Sequence, residues 1–138
     1  MVGGGARRNG EYSRFMVGSR HILLVEDDPS IQGAISLLLE REGFRVTCAG
    51  NGAEALALLG AGDDPALILL DMMMPVMNGL EFRIEQHRDP RLATIPVVVL
   101  SATPGSEAWP DLPPPSAVMP KPFDIDQLLE VVEKHSRR

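Results

Sequence analysis

Three runs of four apolar residues, Ile22-Leu23-Leu24-Val25, Leu67-Ile68-Leu69-Leu70 and Val97-Val98-Val99-Leu100, constrain this chain more than any other feature. An unbroken apolar run of that length reads as a strand buried on both faces, which belongs in a parallel sheet covered by helices on either side. The segments between the runs have helical character. Asp28 and Pro29 form a cap and first helical position. Ile31, Ala34, Ile35, Leu38 and Leu39 then repeat as one stripe, closed by Gly43. Residues 44–49 read as a second strand. Residues 54–59 read as a short helix ended by Gly60 and Gly62, and residues 78–88 as a helix with a poor stripe. Val118-Met119 is a weak fifth strand. A last helix starts at Phe123-Asp124, with Asp124 and Gln127 as a capping box and Leu128, Leu129 and Val132 facing inward. Five strands separated by helices predict an α/β, doubly wound parallel sheet.

With 138 residues there is room for one core. Residues 1–19 lack an apolar period and an h-region and read as a flexible tail. Residues 20–138 read as the folded domain, and Met16 is an alternative start. Residues 1–20 carry four arginines against Glu11, so the net charge of −6 leaves −9 on the rest. That acidity argues against a nucleic-acid surface. The apolar runs are too short to span a membrane. The single cysteine, Cys48, excludes an internal disulfide and a zinc cluster. A reducing, cytoplasmic setting is the expectation.

In such sheets, sites form beyond the carboxyl ends of the strands, at the topological switch point. The first strand ends in Glu26-Asp27-Asp28, the third in Asp71, the fourth in Ser101 and the fifth in Lys121. Asp28 is accounted for as a helix cap. With strands one and three adjacent, the remaining carboxylates converge, and like charges that close call for a cation between them. All-oxygen ligation suits Mg²⁺. A hydroxyl and a lysine ammonium opposite suit a phosphoryl group. An acid directly after four apolar residues, as at Asp71, is a costly place for a purely structural side chain.

The blocks Ile22-Leu23-Leu24-Val25-Glu26-Asp27-Asp28-Pro29, Leu69 to Gly79, Leu100-Ser101-Ala102 and Lys121-Pro122-Phe123 resemble the signature blocks of response-regulator receiver domains. Order and spacing match over about residues 20–136. The resemblance implies the flavodoxin-like strand order 2-1-3-4-5 and a stand-alone receiver. It makes Asp71 the phosphoacceptor, served by a histidine kinase or histidine phosphotransfer protein. Glu26, Asp27, Asp71 and the main-chain oxygen of Met73 would hold Mg²⁺. Ser101 and Lys121 would bind the phosphoryl group, with the small Ala102 leaving the donor a path, and Lys121-Pro122 would be cis. It implies a signalling acceptor rather than an enzyme, with output through an unknown downstream protein, no nucleic acid, no membrane, and at most a weak homodimer.

Three departures stand out. Residues 102–120 hold six of the twelve prolines. The fourth helix, between the fourth and fifth strands, is therefore expected to be shortened or replaced by a proline-rich loop, with at most one turn at residues 106–109. Val118 stands where the family has a switching Tyr or Phe, so the switch is expected to run through Ser101 and the segment behind it. In the helix after Gly79, Arg83 and Gln86 fill usually apolar places, and Leu80, Ile84 and His87 suggest a shifted stripe with His87 on the surface. Met72, Met73, Met74 and Met77 read as gap fillers, and Trp109 as a loop anchor or a partner contact. The main alternative is a phosphorylation-independent interaction module. A phosphohydrolase is disfavoured by Met73, where a second acid is usual, and an FMN binder by the repulsive Glu26-Asp27-Asp28 loop.

Overall fold

The computed structural model describes residues 20–103, 109 and 111–137. Five strands, β1 (His21–Val25), β2 (Arg45–Ala49), β3 (Leu67–Asp71), β4 (Val97–Ser101) and β5 (Ala117–Pro120), form one sheet in the order β2-β1-β3-β4-β5. Every pairing is parallel. The helices are α1 (Pro29–Arg41), α2 (Gly52–Gly60), α3 (Gly79–Arg88), the single turn α4 (Pro90–Ala93) and α5 (Ile125–His135).

Alternation along the strands divides the core in two. Ile22, Leu24, Leu67, Leu69, Val98 and Leu100 pack under α1 and α5, against Ile35, Leu39, Leu128 and Val132. Leu23, Val25, Ile68, Leu70, Val97 and Val99 pack under α2, α3 and α4, against Ala55, Leu59, Phe82 and Leu92. This is why the apolar runs are unbroken: each successive residue serves the opposite layer.

The predicted caps largely form. The Asp28 carboxylate accepts from Ser30 N and Ile31 N, with Pro29 next. The second helix begins two residues earlier than expected, because Asn51 caps it by accepting from Glu54 N. Asn78 and Glu81 form a reciprocal capping box on α3. On α5 the expected Asp124–Gln127 box is replaced by Asp124 accepting from Asp126 N. The stripe of α1 is buried only at Ile35 and Leu39, while Ile31 stays exposed.

Helix α3 corrects the sequence reading. Its buried face is Gly79, Phe82, Arg83 and Gln86, whereas Leu80, Ile84 and His87 are half-buried beside it. Gln86 is accepted inside because its Nε2 donates to Leu92 O and Ile95 O (3.0 and 3.1 Å), tying α3 to the connection before β4. Between β4 and β5, none of the described residues is helical. Residues 104–108 and 110, where a residual turn was expected in part, lie outside the described residues, as does the predicted tail at 1–19.

Candidate functional site

The chain leaves β1 toward β2 on one side while β3 lies on the other, so the carboxyl ends of β1 and β3 form the switch point. Register sets Val25 beside Leu70, which places Glu26 and Asp71 as neighbours one step beyond. Both are buried, at 1% and 4% exposure, while Asp27 is exposed. One carboxylate oxygen from each of Glu26, Asp27 and Asp71 lies within 4.8 Å of the others.

Local bonds hold this trio. Glu26 N donates to Ala49 O at 3.0 Å, and Asp28 N donates to Glu26 Oε2 at 3.1 Å. Gln32, on the first turns of α1, donates from Nε2 to Glu26 O at 3.0 Å, a support that nothing in the motif pattern had marked. Met73 N reaches Asp71 Oδ1 at 3.4 Å. The loop after β3 then turns into α3 at Gly79, whose N donates to Met72 O. A Cβ at Gly79 would stand 2.7 Å from Met72 Sδ and 3.0 Å from Asp71 O, so only glycine allows this approach. Met72, Met74 and Met77 pack against the core, as gap fillers do, but Met73 is 79% exposed.

Lys121 enters from the end of β5, its N donating to Ser101 O at 2.8 Å. Its Nζ donates to Asp71 Oδ1 at 2.9 Å and lies 3.8 Å from Glu26 Oε1. The Lys121-Pro122 bond is cis. Ser101 is buried at the end of β4, and its Oγ accepts from Thr103 N at 3.2 Å. Ala102 is exposed beside it, and Val118 projects outward from β5. The strand-end residues predicted from sequence are thus brought together, with Val118 outside the pocket.

Burial pushes the Glu26 carboxyl above the usual carboxylate range. The Asp28 N–H opposes that, the charge of Asp71 adds to it, and Lys121 pulls back. Among the described residues Glu26 Oε1 has no hydrogen-bond donor, and it lies buried in a trio of acids with one lysine beside it. Hard oxygen donors with an unsatisfied lone pair fit a small divalent cation such as Mg²⁺.

This sheet order, with a carboxylate trio, a strand-end hydroxyl and a lysine at its switch point, defines a flavodoxin-like α/β module equipped for a cation and an oxoanion. The family profile described as "Response regulator receiver domain" matches residues 22–133. The chain belongs to that family, the phosphoacceptor domains of two-component signalling. It is 34% identical over 124 residues to the DNA-binding dual master transcriptional regulator RpaA of Synechocystis, covering 85% of this chain and 49% of RpaA. It is 36% identical to the CpxR homolog of Haemophilus influenzae, covering 85% of this chain and 50% of that protein. The chain thus spans about half the length of these curated relatives. Among solved structures it resembles the receiver domain of sensor histidine kinase PA1611 from Pseudomonas aeruginosa, which has a magnesium ion coordinated in its active site cleft. The TM-score is 0.75 and the identity 26%, with 86% of this chain and 98% of that chain covered. Chemotaxis response regulator CheY4 of Vibrio cholerae gives a TM-score of 0.74 at 27% identity, covering 84% and 98%.

Proposed function

We propose that Asp71 accepts a phosphoryl group from a histidine kinase or histidine phosphotransfer protein, and that the phosphorylated domain acts by contacting another protein. The observation that carries this is the buried pair of Asp71 and Glu26 with Lys121 Nζ between them, at 2.9 and 3.8 Å.

In the transfer, an Asp71 carboxylate oxygen forms a bond to phosphorus as the P–N bond to the donor imidazole breaks. The electron pair stays on that nitrogen, which regains a proton. Glu26, Asp27, Asp71 and the main-chain oxygen of Met73 would hold Mg²⁺, which supplies charge neutralisation for the incoming phosphoryl oxygens. Lys121 offers its ammonium to one phosphoryl oxygen, and Ser101 its hydroxyl to another. Exposed Ala102 leaves the approach open. Domain 20–138 acts as a signalling acceptor rather than an enzyme, in the cytoplasm, and makes no contact with nucleic acid or membrane of its own. Net acidity supports that, and no helix among the described residues is long and apolar enough to cross a membrane. RpaA and the CpxR homolog extend beyond the matched region, and output beyond the receiver belongs to a partner or to any added chain.

Incubation with a small phosphodonor and Mg²⁺ tests this. A single label on Asp71, lost in Asp71→Asn, is the expected result. A label that persists in that variant overturns Asp71 as the acceptor, whereas no label on wild type while Mg²⁺ binds favours the phosphorylation-independent interaction module.

A further inference from the structure

At the end of the sheet remote from Asp71 lies a cavity of about 460 Å³. Ile95, which leads into β4, and Ser116, which leads into β5, line it. Ser101 closes β4 four residues after Val97, or about 13 Å further along the strand. Arg83, His87 and Arg137 contribute cationic or cationisable groups, while Ile95, Pro113 and Pro114 give an apolar wall. Among the described residues no carboxylate lines the cavity.

Arg83 is the unusual member. It is 2% exposed, and no carboxylate pairs with it among the described residues. Its Nη2 donates to Pro113 O at 3.0 Å and lies 3.3 Å from His87 Nε2. The Trp109 ring lies 4.6 Å from its guanidinium carbon. Its Nε and Nη1 are buried with no acceptor among the described residues. A buried guanidinium left half-satisfied and without a counter-charge is costly in a fold that could have placed leucine there. Arg137 is engaged by Glu133 at 2.6 and 3.2 Å, so it adds field at the rim rather than a free donor.

We propose that this cavity binds a small organic carboxylate, its head group on the Arg83 guanidinium beside His87 and its body along Ile95 and the prolines. Guanidinium and carboxylate match in geometry and charge. The volume lies within the ~300–1,000 Å³ usual for small-molecule sites. A bare oxoanion would leave the apolar wall uncovered, which is why the ligand is organic. The Trp109 ring already stacks on that guanidinium, 4.6 Å from its central carbon, so it feels the change of charge when the head group is seated. Trp109 is the only tryptophan in the sequence and therefore reports binding.

The test is a titration of Trp109 emission in the full chain at constant ionic strength, with benzoate and succinate as probes and inorganic phosphate as the bare oxoanion. A saturating change for at least one carboxylate, with a Kd on the order of 1 mM, is expected, with phosphate at least ~10-fold weaker. The Arg83 Nε–H resonance should shift in the same range. Arg83→Met, and independently Ala93→Leu, which fills the cavity without touching Arg83, should each abolish the response. Asp71→Asn should leave it unchanged, which separates this site from the phosphoacceptor reading. Three results overturn the proposal: no saturation by either carboxylate, phosphate binding as well as they do (an adventitious ion only), or wild-type affinity in Ala93→Leu.

Discussion

Lys121 stands between two buried carboxylates and serves both, which gives its removal two effects of opposite sign. Without the ammonium, Glu26 and Asp71 repel one another and draw a divalent cation more strongly, so Lys121→Met should bind Mg²⁺ several-fold tighter. The same variant lacks the charge that meets the phosphoryl oxygens, and its labelling rate should fall about 10²-fold. Calorimetry with Mg²⁺ and labelling kinetics read the two separately; a fall in both would show that Lys121 mainly holds the pocket in shape. His87 offers a second test at this scale. Burial, and then the nearby charge of Arg83, lower its pKa in the fold. The unfolded imidazole, near 6.5, takes up its proton first. Stability is therefore fully present above about pH 6.5 and declines as pH falls through that value toward the folded pKa. His135 is shifted the same way, chiefly by burial, and shares the slope. An NMR titration resolves the two rings, and in Arg83→Met only the His87 value should rise.

Among the elements, the strands were legible and α3 was not, for a definite reason. Ile22 to Val25 and Val97 to Leu100 announce themselves because each residue is buried by one helix layer or the other, a property local to the run. The acids and the lysine could be placed because parallel strands bring their ends to one edge. Arg83 and Gln86 are buried through partners 6 to 30 residues away: carbonyls at Leu92, Ile95 and Pro113. No periodicity encodes those, so the stripe appeared to shift toward Leu80 and Ile84. The only available hint was that two polar residues held the places where the receiver pattern is apolar. Trp109 resolves as an anchor, packed on the second core layer and stacked over Arg83. The loop between β3 and α3 carries its own strain. Val76 has φ of 67°, a left-handed conformation that a β-branched residue adopts at a cost, and is 82% exposed. Val76→Gly should stabilise the fold by about 1 kcal/mol, the relief of strain exceeding glycine's entropy in the unfolded chain. A higher urea midpoint with an unchanged m-value is the expected result; a lower midpoint would mean that the valine side chain is held by contacts.

For the molecule as a whole, one side chain joins the residue before the first strand to the end of the last helix. Arg20, just before β1, donates from Nη1 to Glu133 O at 3.0 Å and to Ser136 Oγ at 2.9 Å, and from Nη2 to Glu133 Oε2 at 3.3 Å. It thereby satisfies a carbonyl of the last turn of α5 and pairs with a carboxylate whose pKa lies below the usual range, first through Arg137 and then through Arg20 itself. Part exposure discounts the ion pair, and Arg20→Ala should cost about 1–2 kcal/mol by urea unfolding. The order of the segments along the chain is then a matter of history rather than of necessity. Joining Arg137 to Arg20 through a short glycine linker and opening the chain between Ala61 and Gly62, both exposed, makes a circular permutant that begins at the turn before β3. It keeps every strand pairing and every group at the switch point, so it should fold and take up a phosphoryl label on Asp71 as the natural order does. The same adjacency means that a domain fused before residue 20 and one fused after residue 137 would stand side by side, both at the end of the sheet that faces away from Asp71.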